Sequence, residues 1–110
     1  MDTKTYELKA SKTAIFPNEK AMEYLALGLS SEAGEVAGKV KKLIRDGADK
    51  EGLMQAKIDI AFEIGDVLWY CTMLAKEVGT DLESIMYSNI SKLEGRQKRN
   101  TLQGDGDHRW

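Results

Sequence analysis

Apolar residues recur at three- and four-residue intervals along most of this chain. Between residues 19 and 45, Met22, Leu25, Ala26, Leu29, Ala33, Val36, Val40, Leu43 and Ile44 fall on such a pattern, which predicts an amphipathic helix with a core-facing stripe. Residues 2–15 interleave Tyr6, Leu8, Ala10, Ala14 and Ile15 with polar positions and predict a shorter helix of the same kind. Phe16-Pro17-Asn18 separates the two, because Pro17 disfavours helical geometry at Phe16 and Asn18 is suited to cap the helix that follows. Gly28, Gly34 and Gly38 each weaken the longer helix by about 1 kcal/mol relative to alanine, and small residues there would let another helix or a ligand come close. Residues 46–52, DGADKEG, read as a connector.

The least polar stretch runs from Ile60 to Ala75 and carries two charged residues, Glu63 and Asp66. Its apolar residues run around most of the helical circumference, which predicts a third helix, from about Leu53 to Val78, buried on most sides and ended by Gly79. A fourth helix is expected over 81–98, capped by Thr80 or Asp81, with Leu82, Ile85, Met86, Ile90 and Leu93 turned inward. Residues 100–110 show no periodicity and read as a loop. Nothing alternates with period two, so no sheet is expected. The fold class is all-α, a four-helix bundle-like arrangement, and residues 1–110 form one domain.

Composition narrows the function. A net charge of −2 gives no case for a nucleic-acid polymer as partner. No uncharged apolar run is long enough to cross a membrane, and no signal-peptide pattern opens the chain. The single cysteine, Cys71, has no partner for an internal disulfide and reads as a buried small hydrophobe in a reducing, cytoplasmic setting.

The candidate chemistry is acidic. Three pairs of acids stand at i,i+3, Glu32/Glu35, Asp46/Asp49 and Glu63/Asp66, about as many as random placement gives, so context must choose among them. Asp46/Asp49 lies in the connector. Glu63/Asp66 lies where a carboxylate is costly to desolvate unless a cation answers it. Glu32/Glu35 lies among small and apolar residues, where the plainer alternative is a solvated face with a Glu35–Lys39 ion pair. If the second and third helices are antiparallel neighbours, four carboxylates converge. Ligation by oxygen alone suits a hard cation, Mg²⁺ or Mn²⁺. A di-iron bundle would want Glu-x-x-His pairs, and the single histidine, His108, lies in the tail.

The run EAGEVAGKVKKLIRDG from residue 32, EIGDVLWY from residue 63 and NISKLEGRQKR from residue 89 resembles the MazG-like nucleotide pyrophosphohydrolases of the all-α NTP pyrophosphatase superfamily. The family pattern of E-x-x-E, a spacer and E-x-x-D corresponds to Glu32, Glu35, Glu63 and Asp66. The resemblance covers about residues 20–110, and the ending from Thr101 to Arg109 is similar to that of the short, single-domain members. It implies hydrolysis of an NTP or dNTP to the monophosphate and pyrophosphate, in housecleaning of the nucleotide pool. The four carboxylates would hold Mg²⁺, with Mn²⁺ as a possible substitute, and either Glu32 or Glu35 would serve as general base.

The resemblance also gives Asn89, Lys92 and Arg96, which share one face of the fourth helix, to the phosphates. Lys39 would pair with the acids or touch phosphate, with Lys42 behind it. Trp69 would wall the nucleobase pocket or serve as a core residue. The C-terminal loop, with Asp105, Asp107 and Arg109, would close over the nucleotide or fray. Family members assemble as dimers or tetramers, so a homo-oligomer, a homotetramer by preference, is expected, with Trp69, Tyr70 and Met73 as interface candidates. Two other readings stay open: a dUTP- or dCTP-specific pyrophosphatase of the same superfamily, and a non-catalytic helical interaction module whose acids form internal salt bridges.

Overall fold

The computed structural model describes residues 1–100 and Gly104. Among them are four α-helices and no strand: α1 (Thr3–Ser11), α2 (Ala21–Asp46), α3 (Lys50–Glu77) and α4 (Leu82–Lys98), with a 3-10 turn, Asn18–Lys20, leading into α2. The all-α expectation is met. The proposed closing loop, with Asp105, Asp107 and Arg109, lies outside the described residues.

Aspartates start three of the helices. Asp2, Asp49 and Asp81 each accept a hydrogen bond of 2.8 Å, from the backbone N–H groups of Thr5, Gly52 and Ser84 respectively. These are donors that a helix start otherwise leaves without a partner. Because Asp49 caps α3, the expected connector of 46–52 shrinks to three residues. Asn18, expected to cap α2, makes no side-chain cap and opens the 3-10 turn instead. Gly47 ends α2 with φ 68°, its N–H donating to the Leu43 carbonyl at 2.9 Å, a conformation glycine adopts without a Cβ penalty. α3 is capped by Val78 rather than by Gly79, which follows with φ 86° and donates its N–H to the Lys76 carbonyl at 3.1 Å.

The short link makes α2 and α3 an antiparallel hairpin, each arm about 40 Å long at about 1.5 Å per residue. The other helices pack near the C-terminal end of α3, where its buried residues Thr72, Met73 and Ala75 lie. α4 packs against α3 and α1 but not against α2. Ala10 of α1, Leu25 of α2 and Met73 of α3 form the buried core, with Tyr6, Phe16, Trp69 and Tyr70 packed around them.

Two expectations fail within a single chain. α3 is not buried on most sides: Phe62 is 73% exposed and Ile64 56%. Of the α4 residues expected inward, Ile85, Met86, Ile90 and Leu93 are exposed and only Leu82 is half-buried. Two helices packed at one end cannot cover a hairpin of this length. The radius of gyration, 17.1 Å, exceeds the about 13 Å usual for a compact chain of about 100 residues. The interface candidates also change. Met73 is buried in the chain's own core, and Trp69 and Tyr70 pack against that core, so none of the three is a free surface. Cys71 is half-buried, and burial pushes its thiol above the ordinary range.

Candidate active site

The site begins with a close approach of the two long helices. Gly28 of α2 faces Tyr70 of α3 so tightly that a Cβ at residue 28 would overlap the tyrosine ring. One turn further along α2 stands Glu32, and one turn back along α3 stands Asp66, so the same seam brings acids together. Glu32, Glu63 and Asp66 each offer a carboxylate oxygen, and those oxygens lie within 4.8 Å of one another. Glu32 and Glu63 are half-buried and Asp66 is exposed.

The electrostatics show what this cluster lacks. Burial pushes the Glu32 carboxyl above its usual range, helped by a hydrogen bond with Glu63 and by the charges of Asp66, Glu63 and Glu35. Lys39 lies two turns beyond Glu32 on the same face, and its Nζ stands 3.8 Å from Glu63 Oε1. Among the described residues this ion pair engages one of the three clustered acids, a donor set rich in negative charge. A divalent cation with oxygen ligands, Mg²⁺ or Mn²⁺, fits both the donor set and that charge.

Glu35 stands outside the trio. It is exposed, because three residues along a helix of about 3.6 per turn rotate it about 60° away from Glu32. Its charge still reaches Glu32. Of the four expected carboxylates, the structure therefore gathers three and leaves the fourth beside them.

Next to the acids opens a cavity of about 400 Å³, lined by Thr13, Ile15, Phe16, Tyr24, Glu32, Asp66, Trp69 and Tyr70. Phe16 and Tyr24 stack with ring centroids 5.7 Å apart and planes at 23°. Trp69 and Tyr70 meet edge to face at 4.9 Å. Trp69 packs on the core and also lines the cavity. Its indole N–H donates to Thr13 Oγ1 at 2.8 Å and to the Ala10 carbonyl at 3.3 Å. The Tyr70 phenol is raised by burial first, then by Tyr24, Glu32 and Asp66. Tyr6 is raised by burial and by Asp66.

The α4 residues lie elsewhere. Asn89 is exposed, Lys92 half-buried and Arg96 buried, and none of them lines this cavity. Lys39 and Lys42 line a separate hollow of about 540 Å³ at the turn end of the hairpin, with Asp46, Asp49 and Asp59. Sequence reasoning missed Thr13, Phe16, Tyr24 and Tyr70. A usable signal was the i, i+4, i+8 series Tyr24, Gly28 and Glu32, which places an aromatic ring, a small residue and an acid on one stripe of α2.

Residues 20–101 match the MazG nucleotide pyrophosphohydrolase domain. The chain belongs to the MazG nucleotide pyrophosphohydrolase family. It is also similar to the Gene 37 protein of Mycobacterium phage L5, at 38% identity over 117 residues, covering 99% of this chain and 100% of that protein. No solved structure matches it. The MazG match contains the acid cluster, α3 and α4 but starts after α1 and after the Thr13–Phe16 segment, and that segment lines the cavity from outside the match. Among the described residues of this MazG chain, no helix is long and apolar enough to cross a membrane.

Proposed function

We propose that this chain is a Mg²⁺-dependent nucleoside triphosphate pyrophosphohydrolase, converting an NTP or dNTP and water to the monophosphate and pyrophosphate. The observation that carries the proposal is the convergence of Glu32, Glu63 and Asp66 beside an aromatic-lined cavity in a member of this family. Water would attack the α-phosphorus, the bond from that phosphorus to the α,β-bridging oxygen would break, and pyrophosphate would leave. Glu32, Glu63 and Asp66 would hold Mg²⁺. When bound, the ion supplies charge neutralisation of the triphosphate and lowers the pKa of a coordinated water.

The chain's own residues would do the rest. Glu35, one turn from Glu32 and outside the trio, would accept the proton of the attacking water. Lys39 would pivot between Glu63 and a phosphate oxygen. Such chemistry needs positioning and electrostatics rather than a protein nucleophile. The single domain would work in the cytoplasm on the nucleotide pool as a homo-oligomer, a tetramer by preference. That assembly would cover the apolar residues a single chain leaves exposed and let Asn89 and Lys92 reach triphosphate bound on a neighbouring subunit, with Arg96 buried behind them in α4.

Incubation with a panel of NTPs and dNTPs and Mg²⁺, followed by product analysis, tests this directly. Monophosphate and pyrophosphate are expected. Diphosphate and orthophosphate would move the attack to the γ-phosphorus, and turnover confined to dUTP or dCTP would establish the narrower pyrophosphatase. The absence of turnover with either Mg²⁺ or Mn²⁺ would leave the interaction module, to which the Lys39–Glu63 pair gives some support.

A further inference from the structure

We infer that the segment Thr13–Phe16, which precedes the MazG match, is the wall that holds the nucleobase end of the substrate, and that Trp69 is its positioning residue. The inference rests on the reading of the acid cluster as the triphosphate end.

The geometry separates the cavity into two kinds of surface. Glu32 and Asp66 supply its anionic side, and Thr13, Phe16, Tyr24 and Trp69 supply much of the remainder. A nucleotide has the same division, a polyanion joined through a sugar to a flat aromatic ring. With the phosphates at the metal-binding side, the base falls among the aromatic residues, where stacking is worth about 1–3 kcal/mol per base. Phe16 comes from the irregular segment after α1, yet its ring stacks on Tyr24 of α2.

That segment is fastened to α3 at Thr13, and the end of α1 just before it is fastened at Ala10 and Ser11. Trp69 Nε1 donates to Thr13 Oγ1 and to the Ala10 carbonyl, and the Thr13 hydroxyl in turn donates to the Ala10 carbonyl at 2.7 Å. Lys76 Nζ donates to Ser11 Oγ at 3.0 Å. The indole N–H and the Thr13 hydroxyl proton are both used in this fastening, so neither is left to donate to a base. Trp69 therefore acts on the substrate chiefly by setting where Thr13 and Phe16 stand. Family-level residues would fix the reaction, while a segment outside the family match would fix how the base is held.

The test compares two ligands that divide the site, using the full chain with Mg²⁺ and calorimetry. The four nucleoside monophosphates report the base end, and inorganic pyrophosphate reports the anionic end. Phe16→Ala should weaken monophosphate binding about tenfold and narrow the differences among the four bases, while pyrophosphate binding stays as in the wild type. Thr13→Val, at an exposed position, should do the same more weakly and alter the fluorescence of Trp69 in a Trp110→Phe background. It serves as the variant to judge by if Phe16→Ala fails to fold. Unchanged monophosphate binding in Thr13→Val, equal weakening of both ligands, or a wild-type chain that binds no monophosphate would each overturn the inference. The underlying reading is judged separately, by whether Asp66→Asn stops pyrophosphate release.

Discussion

Gly28 on α2 and the ring of Tyr70 on α3 occupy adjoining space with no room for a methyl group between them. The spacing matters because Glu32 and Asp66 sit one turn from each of these residues, so the same contact sets the separation of the acids. Alanine at residue 28 would gain about 1 kcal/mol of helix propensity and incur about 1–3 kcal/mol of overpacking. Gly28→Ala is therefore expected to lower the melting temperature and to reduce turnover more than stability. With Tyr70→Ala in the same chain the obstruction is gone, and the second alanine should become stabilising. A Gly28→Ala protein as active and stable as the wild type would show that the seam is looser than the geometry indicates.

The three converging carboxylates repel one another when no cation is bound, and Lys39 offsets only part of that repulsion. Asp66→Asn and Glu63→Gln should lower kcat/KM about a hundredfold or more. Without metal, Asp66→Asn should leave the melting temperature unchanged or raise it, since it removes a like charge. A fall of many degrees in metal-free buffer would identify the acids as structural salt-bridge partners. Calorimetric titration with Mg²⁺ should show the loss of affinity directly.

The sequence made the helices legible because each has a local cause: a 3.6-residue apolar period, an aspartate cap at Asp81, a left-handed glycine at Gly79. It also marked Glu32, Glu63 and Asp66, since acids in a greasy context need an explanation wherever the chain puts them. It did not separate Glu35 from the other three, because the orientation of one side chain at a helix seam depends on how the two helices are rotated against each other. Phe16, Tyr24 and Tyr70 were hidden for a related reason. Their role depends on contacts between segments far apart in the chain, and an aromatic residue in an amphipathic pattern reads first as core. The expected burial of α3 failed because an apolar circumference marks a helix that favours cover, while the cover it gets depends on how far the other helices reach along it.

The Glu32 carboxyl gives a pH test with a definite sign. Burial and its acidic neighbours raise its folded pKa above the ordinary value of 4.5, so the folded state binds this proton more tightly than the unfolded chain. The resulting stability is complete below the unfolded pKa and is lost as pH rises through the folded one. In EDTA, the melting temperature of the wild type minus that of Glu32→Gln should fall as pH rises above about 4.5. Asp2, Asp46 and Asp81, held low by hydrogen bonds, lose stability in the opposite direction and cancel in the difference. Saturating Mg²⁺ should stabilise the wild type at neutral pH, and a difference independent of both pH and metal would place Glu32 outside the cluster.

Glu35 is distinguished from its neighbours by role rather than by type. If it takes the proton from water, Glu35→Gln should lower kcat about a hundredfold, within the range typical of a general base, while leaving Mg²⁺ affinity close to that of the wild type. Loss of metal affinity together with turnover would make Glu35 a fourth ligand instead, and the base would then have to be found elsewhere.

Phe62 tests the proposed assembly, because it lies at 73% exposure on the same helix as Glu63 and Asp66. An isolated large apolar side chain on a surface is ordinary, but here Leu27 and Ile44 on the partner arm of the hairpin are also exposed, at 72% and 82%, so large apolar side chains stand uncovered on both arms. If copies of the chain cover one another along this hairpin, Phe62→Glu would place a charge in an apolar interface. The wild type should sediment as an oligomer and Phe62→Glu as a smaller species, with a melting temperature that has lost its dependence on protein concentration. Because Asn89, Lys92 and Arg96 do not line the cavity of their own chain, the dissociated variant should also show a raised KM for triphosphate while still binding Mg²⁺. A monomeric wild type with full activity would show instead that a single chain completes the site.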